Sequence, residues 1–179
     1  MSTRSSKPDT RLRPKLLVLD VDGVLTDGSL TYDSEGRELK TFSVRDGFGL
    51  RLWREAGGET AIITGRGGPA TRTRLAELGI TRVIEGAKSK LPALDQVLAD
   101  TGVAADHVAY MGDDWPDLGP MRRVGFPIAP ADAEQRVRDV ASFVTKAPGG
   151  RGAVREAVEH LLTRAGLIGS AAARYDPPA

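Results

Sequence analysis

The sequence predicts a doubly wound, mostly parallel α/β sheet of the Rossmann-like type, on two observations. Short apolar strand patterns alternate with helical patterns, which favours βαβ units with helices on both faces of the sheet. Glycines stand where helices are expected to end, as at Gly57, Gly58 and Gly79. The strand patterns lie near residues 15–20, 59–64, 82–85, 107–111 and 142–145. The helical patterns lie near residues 47–57, 69–79, 89–101, 115–122, 132–138 and 151–165.

Each element has a local reason in the sequence. The first strand, 15–19, is a continuous apolar run that suits a strand buried on both faces. Residues 30–32 and 38–42 flank a loop that contains Gly36, which predicts a short β-hairpin insertion directly after that strand. Pro69 follows a Gly-Gly turn and suits the first position of a helix. Leu91, Leu94 and Val97 carry the helical spacing of the segment that follows residue 89.

The length of 179 residues suits one α/β domain, which we place at residues 15–165. Residues 1–14 contain almost no apolar side chains and are predicted to be a mobile N-terminal arm. Residues 166–179 are rich in Ala and Gly and are predicted to be a flexible C-terminal tail.

The composition argues against several classes of partner. With 25 basic and 24 acidic residues, the chain has no strong overall field, so we expect neither nucleic acid nor an anionic membrane as a partner. The sequence contains no run of 18 apolar residues and no recognisable leader, so no membrane span or secretory signal is expected. The absence of cysteine permits a reducing compartment, and we expect the protein in the cytoplasm.

Two carboxylates follow the first strand, at Asp20 and Asp22, before a glycine turn. Residues i and i+2 of a strand project to the same side, so both carboxylates can approach one bound group. Such a pair suits phosphoryl transfer, with one Asp as nucleophile and the other as general acid and base. The alternative is an ordinary strand end, because Asp and Gly are common turn residues.

Three further strand ends add candidates at the edge where ligands of open α/β sheets bind. Thr64 and Gly65 follow the second main strand, and the Thr64 hydroxyl could bind a phosphoryl oxygen. A lysine stands at the next helix entrance, where spacing alone does not choose between Lys88 and Lys90. An acidic cluster follows the strand near 107–111, with Asp114 as the candidate helix cap. The other members of this cluster are Asp113 and Asp117.

Carboxylates crowded into one crevice need a cation, because two unit charges about 4 Å apart repel by roughly 4 kcal/mol at an effective dielectric of about 20. With oxygen ligands and no cysteine, a hard ion such as Mg²⁺ is favoured over Zn²⁺. We predict that the side chains of Asp20 and Asp113 bind Mg²⁺, with the carbonyl oxygen of Asp22 as a third ligand.

These motifs together resemble the haloacid dehalogenase superfamily of phosphatases. The similarity rests on D-x-D-G-V-L-T-D-G at 20–28, I-I-T-G-R at 62–66, a lysine before a helix, and G-D-D-x-x-D at 112–117. The resemblance implies that Asp20 is the nucleophile and Asp22 the general acid/base. It also implies that Thr64 and Lys90 bind phosphate, that Asp113 binds magnesium, and that Asp117 orients Lys90.

More narrowly, 20–28, 44–49, 62–66 and 149–156 resemble the cap-less phosphatases that act on 3-deoxy-D-manno-octulosonate 8-phosphate, a sugar acid phosphate of lipopolysaccharide biosynthesis. That resemblance implies a hairpin in place of a cap domain and a homotetramer in which a neighbouring subunit covers each site. Segments containing Arg66, Gly47 and Arg151 are expected to border the substrate. Arg45, Arg66 and Arg151 are candidates to bind its carboxylate.

Other interpretations stay open at this level. The substrate could be a related nine-carbon sugar acid phosphate. A phospho-aspartate receiver domain also combines acidic residues, Thr and Lys, but it carries its phosphorylated Asp on a middle strand, and the strand ending at Thr64 offers none. A nucleotide-binding module is suggested by 65–69, but this segment matches neither glycine-rich phosphate-binding pattern. An inactive scaffold of the phosphatase fold is the remaining alternative.

Overall fold

The computed structural model describes residues 13–176. Most of the N-terminal arm predicted at 1–14, and residues 177–179 of the predicted tail, lie outside the described residues. The described chain forms a six-stranded parallel sheet and a separate two-stranded antiparallel hairpin. The strands are β1 Leu16–Leu19, β2 Thr31–Tyr32, β3 Glu38–Leu39, β4 Glu59–Ile63, β5 Arg82–Ile84, β6 Val108–Met111, β7 Phe126–Ala129 and β8 Phe143–Val144.

The main sheet has the strand order β5-β4-β1-β6-β7-β8. The order reverses around β1, which pairs with β4 on one side and β6 on the other. This is the topological switch point, where ligands bind beyond the carboxyl ends of the strands. The helices are α1 Val44–Glu55, α2 Pro69–Glu77, α3 Lys90–Thr101, α4 Leu118–Arg123, α5 Gln135–Val140, α6 Ala153–Arg164 and α7 Ile168–Ala172.

Helices cover both faces of the sheet, as predicted. The sheet therefore separates the core into two layers. Leu17 and Leu19 of β1 face a layer formed with α1, α2, α6 and α7. Leu16 and Val18 face the opposite layer, formed with α3, α4 and α5. All four side chains are fully buried, which explains why β1 is a continuous apolar run rather than an alternating one.

The sequence analysis did not include β7. This strand lies between β6 and β8, and it contains Pro127, a residue that is uncommon inside a sheet. Proline lacks an N–H, but its carbonyl oxygen still accepts hydrogen bonds from the backbone and side chain of Ser142. A short interior strand therefore tolerates Pro127.

The hairpin predicted after β1 is present as β2 and β3, in antiparallel pairing. It is shorter than the segments 30–32 and 38–42 from which we predicted it. Within residues 13–176, this hairpin, and no separate domain, is inserted between β1 and α1. Within 13–176, no helix has both the length and the apolar character that a membrane span requires.

The C-terminal segment differs from the flexible tail that we expected. Residues 168–172 form α7, and Ala171 is buried against the core layer of α1 and α6. The Tyr175 hydroxyl donates a hydrogen bond of 2.9 Å to Glu55, and the Tyr175 ring meets Phe48 edge-on with centroids 4.9 Å apart. The expectation of a flexible tail rested on the Ala/Gly-rich composition of this segment. Its few apolar residues, such as Leu167, pack against the core.

Candidate active site

A polar crevice lies beyond the carboxyl ends of β1, β4 and β6, at the switch point of the sheet. It encloses about 340 Å³. Because the strands are parallel, the residues that follow each of them meet at this edge, although they are far apart in sequence. The crevice is lined by Asp20, Asp22, Gly28, Thr64, Gly65, Arg66, Ala87, Lys88, Lys90, Asp113, Asp114 and Pro116.

Asp20 is the first residue after β1, and only 6% of it is exposed. Its Oδ1 accepts a hydrogen bond of 2.7 Å from the N–H of Val21, and its Oδ2 lies 2.6 Å from Nζ of Lys90. Burial, and secondly the charge of Asp117, raise the pKa of Asp20 to about 6, although Lys90 opposes the shift. Asp20 is therefore a fixed carboxylate at the floor of the crevice.

Lys90 is the first residue of α3 and bridges two acidic residues. Its Nζ donates a 2.8 Å hydrogen bond to Asp117, in addition to its contact with Asp20. Asp117 is fully buried and also accepts hydrogen bonds from the Tyr110 hydroxyl and from the N–H groups of Asp113 and Asp114. Both oxygens of Asp117 are thereby engaged, so its geometry suits a residue that orients Lys90.

Asp113 differs from Asp117 in its hydrogen bonding. Within the described residues, no group donates a hydrogen bond to its buried Oδ1. Burial, and secondly the charges of Asp20 and Asp117, raise the pKa of Asp113 to about 8. Carboxylate oxygens of Asp20, Asp113 and Asp117 lie within 4.8 Å of one another. This is the arrangement that a hard divalent cation would stabilise.

Gly23 explains how the loop after β1 comes so close to Asp113. It has a φ of +80°, and a Cβ at this position would lie 2.0 Å from Oδ2 of Asp113. Both the left-handed backbone and the contact therefore require glycine in the D-x-D-G motif.

Asp22 faces the hairpin, where the sequence analysis assigned no site residue. Its carboxylate forms an ion pair with Lys40, whose side chain is only 2% exposed. Nζ of Lys40 also lies 3.3 Å from Glu38, and Glu38 accepts a 3.1 Å hydrogen bond from Arg66. The sequence predicted the hairpin but not that Lys40 would turn back toward Asp22. Tyr110 was also missed, since its hydroxyl is hidden within an apolar strand.

The other crevice residues have clear local roles. Thr64 is 1% exposed, and its hydroxyl oxygen accepts a hydrogen bond of 3.2 Å from the N–H of Arg66. Asp114 caps the helical turn Trp115–Asp117 by accepting a 2.7 Å hydrogen bond from the N–H of Trp115. Asp114 is thus the helix cap that the sequence analysis proposed.

Three residues expected near the substrate do not line the crevice formed by 13–176. Arg45 lies on the exposed side of α1. Gly47 is buried, and a Cβ there would lie 2.3 Å from a guanidinium nitrogen of Arg74. Arg151 is exposed, with Nη2 3.4 Å from Asp27. Their contact with a substrate stays a prediction.

Comparison with known proteins gives a consistent result. Residues 72–156 match the family of haloacid dehalogenase-like hydrolases. The 3-deoxy-D-manno-octulosonate 8-phosphate phosphatase KdsC of Escherichia coli strain K12 is 45% identical over 157 residues, which are 88% of this chain and 84% of that protein.

Solved structures agree with the sequence match. The same phosphatase from Moraxella catarrhalis, crystallised with magnesium ion, phosphate ion and KDO, has a TM-score of 0.89 at 40% identity, over 93% of this chain and 95% of that one. A probable YrbI family phosphatase from Pseudomonas syringae has a TM-score of 0.90 at 42% identity, over 95% and 97%. The chain therefore belongs to the 3-deoxy-D-manno-octulosonate 8-phosphate phosphatase family of haloacid dehalogenase-like hydrolases.

Proposed function

We propose that the protein is a magnesium-dependent phosphatase that hydrolyses 3-deoxy-D-manno-octulosonate 8-phosphate, a step in the supply of a lipopolysaccharide sugar. The observation that carries the proposal is the meeting of Asp20, Asp113 and Lys90 at the switch point of the sheet. The Moraxella relative, which was crystallised with magnesium, phosphate and KDO, supports the choice of ion and substrate.

The first half of the reaction transfers the phosphoryl group to the protein. A carboxylate oxygen of Asp20 attacks phosphorus, and the bond between phosphorus and the sugar oxygen breaks. Asp22 donates a proton to the departing oxygen, so that the sugar acid leaves as an alcohol. Lys90 holds Asp20 in place and offers positive charge to the phosphoryl oxygens, while Thr64 borders the same space.

The second half restores the enzyme. Asp22 accepts a proton from water as the water oxygen attacks phosphorus, and the bond between phosphorus and Asp20 breaks. Inorganic phosphate is released and Asp20 is again a free carboxylate. One carboxyl group thus serves first as acid and then as base, which the i, i+2 spacing of Asp20 and Asp22 makes possible.

The residues present fit a magnesium ion. Asp113 has a buried oxygen without a hydrogen-bond donor among residues 13–176, and Asp20 lies in the same acidic cluster. We propose these two side chains as ligands, together with the carbonyl oxygen of Asp22. Bound magnesium would neutralise charge on the carboxylates and on the transferring phosphoryl group. Asp117 is left to orient Lys90.

We further propose a cytoplasmic homotetramer. Four residues at and near the hairpin expose large apolar side chains, namely Leu30, Tyr32, Leu39 and Val44. Exposed apolar side chains, together with the unpaired edges of a two-stranded hairpin, favour association with another subunit. A neighbouring subunit would cover the crevice, where Arg66 borders the substrate, and would bring Arg45 or Arg151 of either chain closer to its carboxylate.

The test is phosphate release from a panel of sugar phosphates, with and without Mg²⁺. We expect 3-deoxy-D-manno-octulosonate 8-phosphate to have the highest kcat/KM, and activity to disappear with a chelator and return with Mg²⁺. A nine-carbon sugar acid phosphate that is clearly preferred would contradict the substrate. Turnover that is unaffected by thorough chelation would contradict the mechanism. The reported relatives are phosphatases, which counts against the receiver-domain alternative.

A further inference from the structure

Two segments singled out in the sequence, 44–49 and 149–156, meet behind the crevice. Asp46 of α1 connects them, and only 1% of it is exposed. One carboxyl oxygen of Asp46 accepts a 3.1 Å hydrogen bond from the N–H of Gly152, and the other accepts a 2.8 Å bond from the N–H of Arg155. A buried side chain of one helix thus caps the beginning of another.

The beginning of α6 depends on this contact. Its N-cap residue is Gly152, which has a φ of +109° and no side chain that could cap the helix. The first N–H groups of a helix lack partners within the helix, so Asp46 supplies acceptors that the local sequence does not. The two helices are also in close contact, since a Cβ at Gly49 would lie 2.9 Å from Cα of Arg155.

The loop that leads into α6 packs closely against the loop that follows β1. The N–H of Gly150 donates a 2.9 Å hydrogen bond to the carbonyl oxygen of Val24. A Cβ at Gly149 would lie 1.9 Å from the carbonyl oxygen of Gly23. Gly23 in turn contacts Asp113, because a Cβ there would lie 2.0 Å from Oδ2 of Asp113. Close contacts therefore run from the loop before α6, through the backbone of Gly23, to the side chain of Asp113.

We propose that Asp46 is a positioning residue, which sets the place of the loop after β1 by fixing the start of α6. The inference rests on the proposed function, because the quantity that Asp46 would control is the affinity of the acidic cluster for Mg²⁺. Asp46 itself does not line the crevice. Its influence passes through Gly152, Gly149 and Gly23.

Two variants test this series of contacts, from Asp46 to Gly23, at different points. Asp46→Asn keeps the size of the side chain but turns an NH₂ group toward a backbone N–H donor. Gly149→Ala pushes directly on the carbonyl of Gly23 without touching the cap. Each should weaken Mg²⁺ binding, measured by calorimetry, by about tenfold, the lower end of what loss of an outer-shell contact costs in metal affinity. The Mg²⁺ concentration for half-maximal phosphate release should rise in parallel.

Two matched controls separate positioning from general stability. Ser43→Ala removes the side-chain cap of α1, which accepts from the N–H of Asp46, but leaves α6 capped. Gly169→Ala adds a methyl group that has no neighbour within 4 Å among the described residues. Both should bind Mg²⁺ within twofold of the wild-type affinity.

The outcomes are distinct. If the wild type neither binds Mg²⁺ nor releases phosphate, the proposed function fails. If the wild type does both, and either folded variant of Asp46 or Gly149 binds Mg²⁺ like the wild type, the positioning role is overturned. It is also overturned if Ser43→Ala weakens binding equally, or if neither test variant folds, because the contact would then serve stability alone.

Discussion

Nζ of Lys90 lies 2.6 Å from Oδ2 of Asp20, and both groups are almost completely buried. A carboxylate in such a place would be difficult to keep ionised without a partner. The lysine comes from the start of α3 and the aspartate from the end of β1, so the pairing exists only because β1 and the strand preceding α3 are parallel members of one sheet. The pairing also explains which of two nearby lysines takes part.

Replacing Lys90 by Met should lower kcat/KM for phosphate release by about 10²–10³-fold, the range seen when one charge-stabilising donor is lost. Lys88→Met is the matched comparison, since Lys88 stands at the same helix entrance but is exposed. We expect it to lose less than about tenfold. Steady-state kinetics of both variants decides the assignment, and equal losses would contradict it.

Asp117→Asn should reduce the free energy of unfolding by about 3 kcal/mol, because it breaks a buried ion pair and leaves Lys90 with one partner fewer. The matched variant is Asp114→Asn, which changes an exposed helix cap to another good cap and should cost less than about 1 kcal/mol. Urea denaturation without Mg²⁺ measures both. A smaller loss for Asp117→Asn than for Asp114→Asn would show that the interior network contributes little.

The raised pKa values of Asp20 and Asp113, about 6 and about 8, predict a pH dependence of stability. Between the ordinary value of 3.8 and these folded values, the folded protein binds more protons than the unfolded chain. Stability without metal should therefore fall as the pH rises from about 4 to 8. Mg²⁺ competes with those protons, so it should raise Tm more at pH 8.5 than at pH 6.

Thermal denaturation with Mg²⁺ or with a chelator measures this effect. Asp113→Asn is the control, because it removes the group with the higher pKa and should flatten most of the dependence. A larger Mg²⁺ effect at pH 6 than at pH 8.5 would contradict the assignment of these carboxyl groups to the metal site.

Leu30→Glu and Leu39→Glu should convert the proposed tetramer into smaller species and reduce activity, because each replaces an exposed apolar side chain at the hairpin with a charge. Both leucines are 51% exposed in the single chain. Val144→Glu changes an exposed apolar residue on the edge strand β8 and should leave the assembly intact. Sedimentation velocity gives the masses. A wild-type protein that is fully active as a monomer would refute the tetramer.

The features that the sequence predicted well are those set by local patterns. Continuous apolar runs located β1 and β6, and the parallel arrangement then required Asp20, Thr64, Lys90 and Asp113 to share one sheet edge. The structure places all four at the same crevice. The spacing argument could not choose between Lys88 and Lys90, whereas the structure shows Lys90 buried against Asp20.

The features that the sequence did not predict depend on contacts between distant segments. Lys40 reaches Asp22 only because the hairpin folds back over the end of β1. Asp46 caps a helix more than 100 residues further along the chain, which no local pattern can reveal. β7 is only four residues long and contains Pro127, and it is held in the sheet by pairing with β6 and β8, which no local pattern shows.

The account depends most on Asp20 as the nucleophile, and one substitution tests it directly. Asp20→Asn keeps the shape of the side chain but removes the attacking carboxylate. Unaided phosphate monoester hydrolysis is among the slowest reactions known, with enzymatic accelerations up to about 10²¹-fold. We expect release of phosphate from 3-deoxy-D-manno-octulosonate 8-phosphate at saturating Mg²⁺ to fall at least about 10⁴-fold, with an unchanged circular dichroism spectrum. Near-normal turnover by this variant would contradict the account.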